Sequence, residues 1–559
     1  MAEIDGGELV AKALVNEGIE KAFVLCGGHI MPIFYGMRNH GIEIIDMRHE
    51  CSAVYAAIAY TRATGKMAAI VTTAGPGVGN TPAGMMEAQS LGIPLLQIGG
   101  AVAMDMRDAG DLQDMNTLNV MEQCSKWARK VAGINRIPEY ISIACRQAWA
   151  ERPGPAFLEI PTNLLFAKVD EIWVRYPEKY RTSAIPYGDP DLIAQAAELL
   201  AAAKKPAVLV DNGARFSMGE HAGSVAALCD YLKMPIVSTG AACRGLFGDE
   251  YENPRYRMLG APGADVVLAL GCKFDFRWQF GRTLKEDATI IQVNTDSSEI
   301  GFNLRADIGI VGGAGPVAVQ LLETLKRKLA KPREDSWMRH PQKGGTSFLW
   351  DDYRSPNCPI HPARCAGEVA KFLEDEARDW TIVIDGGEAA VWMGIAATAS
   401  RPGQLHASGS NGTIGTGPGL AIGAWAANRK PVLWYSGDGS FGFYAMEMDT
   451  MARLGIPVVC VISNDSAWGM IRLAEKYIRP AEIEKRGHCN VELHHMRAYE
   501  KMVDMWGGHG EMVTDPEQII PAIRRAVANG KPSIINVEVD KVSLSPMIAG
   551  YAAMVAPAE

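Results

Sequence analysis

Short apolar runs rich in Val and Ile recur along the chain, separated by longer stretches in which apolar residues return every three or four positions. The first pattern predicts strands buried on both faces and the second amphipathic helices. Their alternation is the signature of parallel sheets built from strand–helix–strand units. In the first third of the chain, strands are expected at 21–26, 42–46, 68–72, 94–98 and 156–160. A second block offers 207–210, 235–237, 266–270 and 290–294, and a third 381–384, 432–435, 458–462 and 533–537. Near the start, Asp5 precedes Leu9, Ala13 and Val15 at roughly helical spacing, and Gly18 follows, so a capped helix is expected there.

Residues 161–190 and 331–362 are rich in Pro, Tyr and charge without a clear period, as connectors between domains are. The expected fold class is therefore α/β, with three doubly wound parallel-sheet domains at 1–165, 188–330 and 360–540. The remaining segment, 541–559, is small and apolar, too greasy for a solvated tail.

Composition narrows the function classes. The 559 residues are 48% hydrophobic and 21% charged, enough material for several cores. A net charge of −9 without a basic run argues against nucleic acid or an anionic membrane as the main partner. No run of apolar residues is long enough for a membrane-spanning helix, and no signal-peptide pattern opens the chain, so a cytoplasmic location is expected. Eleven cysteines with no C-x-x-C pair indicate neither a disulfide framework nor a zinc site. An NAD-linked dinucleotide fold is excluded because no strand leads into G-x-G-x-x-G with an acidic residue about 20 positions on.

The chemistry concentrates in SGDGSFGFYAMEMDTMARLGIPVVCVISNDSAWG. Here Asp438 and Asp465 each follow an apolar strand and lie one helix and one strand apart. That spacing returns the second carboxylate beside the first, at the C-terminal edge of a parallel sheet. Hard oxygen ligands of this kind suit Mg²⁺, which keeps water and phosphate oxygens around it. Gly437 and Gly439 permit close backbone approach, and the N–H groups of Ser440 and Phe441 at the helix start can bind a diphosphate.

This stretch resembles the GDG…NN motif of the thiamine-diphosphate-dependent enzymes, the family of acetolactate synthase, pyruvate decarboxylase and benzaldehyde lyase. The resemblance implies that Asp438, Asp465 and the backbone carbonyl of Ala467 hold Mg²⁺. Asp465 stands where the family has the second Asn of its pair. Glu50, in IIDMRHECSAVYAAIAYTRATG, matches the glutamate that hydrogen-bonds N1′ of the aminopyrimidine ring. Gly412 matches the carbonyl that accepts the 4′-amino group, and Ile414 the apolar wedge under the bent cofactor. The loop VTTAGPGVGN, with Thr73, fits the family's pyrimidine-side loop, while Gly469 and Met470 fall on the diphosphate-side wall. Family order spans essentially the whole chain: pyrimidine-binding, central and diphosphate-binding domains. Because Glu50 and Asp438 serve one cofactor from different subunits in this family, a homodimer is implied at minimum, and a homotetramer is common.

Cys26-Gly27-Gly28-His29 is similar to a benzaldehyde lyase segment carrying a histidine, and Gln113 falls where that enzyme keeps a glutamine. The stretch around CNVELHH and the tail look like bacterial 2-hydroxyacyl-CoA lyases, relatives of oxalyl-CoA decarboxylase whose C-terminal segment closes over a CoA thioester. Glu492 matches their lid carboxylate, making 541–559 a candidate lid. In the central domain Arg215, Lys273, Arg277 and Asp296 stand near strand ends, where the phosphates and ribose of CoA or ADP would bind. The expected activity is cleavage of a 2-hydroxyacyl-CoA to formyl-CoA and an aldehyde or ketone, and the reverse condensation. His29, a water on Gln113, or Glu492 would serve as base. Alternatives are a benzaldehyde-lyase-type carboligase on free aldehydes, an acetolactate synthase, an oxalyl-CoA decarboxylase, and a catalytically silent homologue.

Overall fold

The structure, a computed structural model, describes residues 3–239, 241, 243–247, 261–329, 331–337, 351–546 and 548. Among these, three parallel sheets carry the molecule. The first runs, edge to edge, Glu43–Asp46, Lys21–Val24, Ala69–Thr72, Leu95–Ala101, Pro155–Pro161 and Trp127–Lys130. The second runs Ile236–Ser238, Pro206–Val210, Val266–Leu270, Thr289–Asn294 and Ile308–Val311. The third runs Leu405–Ala407, Thr381–Ile384, Val432–Gly437, Val458–Asn464, Ser533–Glu538 and Gly510–Val513. This is the α/β, doubly wound architecture expected.

The first and third sheets share one topology. In each, the first strand in sequence lies between the second and the third, and the order reverses again at the far edge. Helices must therefore cross to opposite faces on either side of the first strand, which opens a crevice at the C-terminal ends of the first and third strands. Inner strands such as Ala69–Thr72 and Val458–Asn464 are buried along their whole length, as their unbroken apolar patterns require.

By compactness, residues 1–186 with 409–411 and 422–428 form one unit, and 187–408, 412–421 and 429–559 the other. The N-terminal helix is Gly6–Asn16, with the Asp5 carboxylate accepting from Glu8 N at 2.9 Å. Gly18 just beyond has a φ of +74°. Trp127–Lys130, Ile308–Val311, Leu405–Ala407 and Gly510–Val513 are strands that hydrophobic patterning does not predict. All four are short edge strands, paired on one side only, so they need no continuous apolar run. The same holds for the antiparallel pair Glu3–Asp5 and Lys168–Asp170, the second of which lies in an expected connector. No helix among the described residues is long and apolar enough to cross a membrane. Most of the candidate lid, residue 547 and residues 549–559, lies outside the described residues.

Candidate active site

In the third sheet the crevice lies between the loops that follow Thr381–Ile384 and Val432–Gly437. The second of these passes straight from strand into the helix Asp438–Tyr444, so Asp438 is set at the sheet edge by the strand itself. Asp465 follows the neighbouring strand Val458–Asn464. Asn464 shapes the turn beyond it: its Oδ1 accepts from Ser466 N at 2.9 Å and its Nδ2 donates to Asn536 at 3.0 Å. Asp465 Oδ1 accepts from Ala467 N at 3.1 Å. A Cβ at Gly469 would stand 2.2 Å from Asp465 Oδ2, so only glycine leaves that carboxylate where it is. At Gly439 a Cβ would meet the Trp468 ring at 2.8 Å.

Burial and the Asp465 charge push Asp438 up from the usual carboxylate range, and burial pushes Asp465 up as well. Two carboxylates facing each other in a low dielectric are the donor set a divalent cation neutralises. Among the described residues no group of three or more His, Cys, Asp and Glu side chains forms a complete metal site. Two carboxylates and the Ala467 carbonyl leave part of an Mg²⁺ octahedron for diphosphate oxygens and water, so the residues fit the expected group.

The opposing loop, Asp385-Gly386-Gly387-Glu388, carries functional residues that motif reasoning missed. A Cβ at Gly386 (φ +111°) would stand 3.1 Å from both Gly437 N and Ser440 Oγ, and one at Gly387 would stand 3.1 Å from Met470 Cβ. Bare backbone is thus brought against the glycine turn and the Met470 wall. Asp385, fully buried, accepts from Gly386 N (2.7 Å), Gly415 N (3.0 Å) and Gly417 N (2.8 Å). It thereby pins the loop that bears Gly412 and the half-buried Ile414. Glu388, also buried, accepts from the backbone N–H and hydroxyl of Ser545. The sequence signal for both was a run of acid and glycine directly after a strand.

Burial raises the Asp385 carboxyl from 3.8 to about 6 and Glu388 from 4.5 to about 7, with Asp465 adding to the latter. A carboxyl with a raised folded pKa holds its proton after the unfolded chain has lost it. Its contribution is present below the unfolded pKa and disappears as pH rises through the folded value. Cofactor-free protein is expected to lose about 3 kcal/mol per group between pH 4 and 7. Urea titrations against pH should show this, and Asp385→Asn should flatten the lower part of the profile.

In the first sheet the corresponding crevice gathers Glu50, His29, Thr73 and Gln113. Glu50, 5% exposed, opens the buried helix Glu50–Thr64, which His49 caps through Nδ1 accepting from Cys51 N at 3.1 Å. Asn80, at the end of the glycine-rich loop, donates to Glu50 Oε2 at 2.9 Å. Beneath it, Thr81 and Thr72 clamp the buried Gln97 amide at 3.0 and 3.3 Å, which stiffens the loop. A Cβ at Gly77 would lie 2.7 Å from the Thr73 methyl and 3.6 Å from Glu50 Oε1. Thr73 Oγ1 donates to Gln113 Oε1 at 3.2 Å, and Gln113 takes a φ of +67°. His29, half-buried in the turn Gly28–Ile30, packs with Ala74 around Gly100.

Two candidates receive other partners. Glu492 is gripped by Arg472 Nε at 2.6 Å and Lys541 Nζ at 2.8 Å, and these bonds hold its carboxyl down at about 2. A carboxyl held below its ordinary value is a weaker base, and both of its oxygens are already engaged. Arg277 forms a bidentate pair with buried Asp211 (2.9 and 2.8 Å) and a further pair with Asp275 (2.8 Å). Trp278 Nε1 also donates to Asp211, at 3.2 Å. Burial opposes the charge on Arg277, but the two aspartates outweigh it. One guanidinium between two carboxylates has no positive charge left for a phosphate. Lys273 lies over the Phe302 ring at 4.6 Å and Arg215 over Phe216 at 5.6 Å. Asp296 accepts from Ser298 N at 2.8 Å, capping a short turn.

Comparison with known proteins gives three family matches in this order. The N-terminal TPP binding domain of thiamine pyrophosphate enzymes matches residues 4–120, the central domain 193–321 and the C-terminal TPP binding domain 385–537. The chain is similar to the acetolactate synthase large subunit IlvG of Mycobacterium tuberculosis, 30% identical over 556 residues, covering 96% of this chain and 95% of that one. It is similar to 2-hydroxyacyl-CoA lyase 2 of Danio rerio, 29% identical over 598 residues, covering 96% and 92%. The human 2-hydroxyacyl-CoA lyase 2 is 29% identical over 514 residues, covering 83% and 79%.

Proposed function

The chain belongs to the thiamine pyrophosphate enzyme family, and from that premise we propose that it is a carbon–carbon lyase. It cleaves a 2-hydroxyacyl-CoA to formyl-CoA and an aldehyde or ketone, and condenses them in reverse. The observation that carries this reading is the set of hydrogen-bonding groups at the first-sheet crevice, where Thr73 meets Gln113 and lies near Glu50, with His29 on the neighbouring turn. Such groups suit a substrate hydroxyl and its proton. The similarity to 2-hydroxyacyl-CoA lyase 2 along most of the chain supports it.

When bound, thiamine diphosphate supplies an electron sink for acyl carbanion chemistry. Asp438, Asp465 and the Ala467 carbonyl would hold Mg²⁺, with the Gly437–Ser440 turn receiving the diphosphate. Gly412 and Ile414 would seat the rings, on the loop pinned by Asp385. Glu50, its Oε2 held by Asn80, would hold and give back a proton at N1′ of the aminopyrimidine. His29, or a water oriented by Gln113, takes the proton of the 2-hydroxyl; the Gln113 amide cannot take it itself. As that proton leaves, the C1–C2 bond would break and the carbonyl product depart; the proton held by His29 or the water would then return to the carbon of the one-carbon unit, which would leave as formyl-CoA. Arg215 and Lys273 would meet CoA phosphates in the central domain. The working form is a homodimer at minimum, and a homotetramer by family habit, in the cytoplasm.

The test offers purified protein, thiamine diphosphate and Mg²⁺ four substrates: 2-hydroxyisobutyryl-CoA, lactoyl-CoA, benzoin and pyruvate. Formyl-CoA from the thioesters, seen by mass spectrometry, is the expected result. The relationship to acetolactate synthase favours a second reading, and acetolactate from pyruvate with untouched thioesters would put it in place of the first. Cleavage of benzoin alone would instead indicate a carboligase of free aldehydes.

A further inference from the structure

Ser466 stands between Asp465 and Ala467. It is fully buried and takes a φ of +54°, a left-handed conformation that disfavours any residue with a side chain. Hydrogen bonds hold it there. Its N–H donates to Asn464 Oδ1 at 2.9 Å, its Oγ accepts from Met496 N at 2.9 Å and its carbonyl accepts from Leu493 N at 2.8 Å.

The Asn464 amide leads away from the turn. Its Nδ2 donates at 3.0 Å to Oδ1 of Asn536, which lies on the adjoining strand Ser533–Glu538. Asn536 Nδ2 donates in turn to the Arg497 carbonyl and to Glu500 Oε2, both at 2.9 Å. Asn464 and Asn536 are fully buried. The segment that supplies these acceptors also carries Tyr499, whose ring meets Phe441 of the helix Asp438–Tyr444 at 5.4 Å, so it backs both carboxylate loops.

An amide can be turned over, exchanging donor for acceptor, and a turned Asn464 would set N–H groups against the N–H of Ser466. The far end of the chain prevents this. A carboxylate and a carbonyl only accept, so they draw Asn536 Nδ2 toward themselves and leave Oδ1 for Asn464. The Asn464 oxygen is then left for Ser466. Reversing either amide would bury donor against donor, at a cost that burial makes large.

We propose that Asn536 is a positioning residue for the cation site. It sets the polarity of Asn464 and thereby the left-handed turn that presents Asp465 and the Ala467 carbonyl, with Glu500 fixing the direction of the chain. The proposal rests on the cofactor site assigned above and not on the thioester reaction.

The test measures Mn²⁺ affinity by electron paramagnetic resonance with thiamine diphosphate present, and urea unfolding of the cofactor-free proteins. Asn536→Asp keeps an acceptor for Asn464 but turns an oxygen toward Arg497 and Glu500. Mn²⁺ affinity should fall by at least about tenfold, because the competent turn is then populated about a tenth of the time or less. Glu500→Gln alone keeps an acceptor oxygen and should change affinity by less than about threefold. In the double variant the new glutamine N–H meets the new carboxylate, and affinity should return to within about threefold of wild type. A residue that only fills volume would show no such recovery. Should Asn536→Asp fail to fold, Asn536→Ala removes the acceptor without adding charge and should lower affinity about tenfold. Normal Mn²⁺ affinity in the folded single variant, whatever its unfolding stability, would overturn the proposal, as would a double variant that folds without recovering affinity. If wild type binds no Mn²⁺ with thiamine diphosphate, the cofactor site itself is wrong.

Discussion

Replacing Glu50 by Gln is expected to lower turnover by about two to four orders of magnitude while the cofactor still binds. The carboxylate is buried at the head of a buried helix, and Asn80 donates to one of its two oxygens. A glutamine fills the same volume and can still meet Asn80 through its carbonyl, so folding and ring docking should survive. It cannot exchange a proton with N1′, and that exchange is the step assigned to Glu50. Two measurements separate chemistry from binding. Deuterium exchange at C2 of the bound cofactor should slow in parallel with turnover, and the dissociation constant of thiamine diphosphate should move by less than about tenfold. Should activity return to wild-type levels once the variant is saturated with cofactor, Glu50 acts in binding and the proton-transfer role is wrong. Asn80→Ala should give a smaller loss of the same kind, because the carboxylate keeps its charge and loses only its orientation.

The second large effect distinguishes the two metal-loop carboxylates, and its sign differs between apo and loaded protein. Asp438 and Asp465 lie in a buried site, where burial raises both carboxyls and the Asp465 charge raises Asp438 further. Converting either to Asn removes that repulsion, so the cofactor-free protein should become more stable, by about 1–3 kcal/mol. Cation binding should fall in both, but unequally. Asp438→Asn removes the anionic ligand that the motif places first, and Mg²⁺-dependent cofactor binding should drop by at least about a hundredfold. Asp465→Asn restores the amide of the family pattern and should cost about tenfold or less. Thermal shifts with and without Mg²⁺ and thiamine diphosphate measure both quantities. A fall in apo stability for both variants would mean that the carboxylates are held by other partners and do not form a cation site.

Much of this molecule could be read along the chain, and the reason is local. Inner strands declare themselves by unbroken apolar runs. Because the sheets are parallel, each strand delivers its next residues to one common edge, so Asp438, Asp465, Glu50 and Thr73 could be located from what precedes them. The fold class and the sheet edges that carry these residues followed from that patterning, while the roles of Glu50 and Thr73 came from the family resemblance. Edge strands such as Gly510–Val513 escaped because pairing on one side demands no such run.

The partners of each side chain were a matter for the tertiary structure. Nothing near Glu492 in sequence announces Lys541, and nothing near Arg277 announces Asp211, yet those are the charges that each of them meets in the fold. Asp385 is bound to Gly415 and Gly417, and Glu388 to Ser545, across separations that no periodicity spans. Composition and spacing constrain where backbone goes. A charge acquires its chemical meaning from its burial and its neighbours, and both come into being only when distant segments pack.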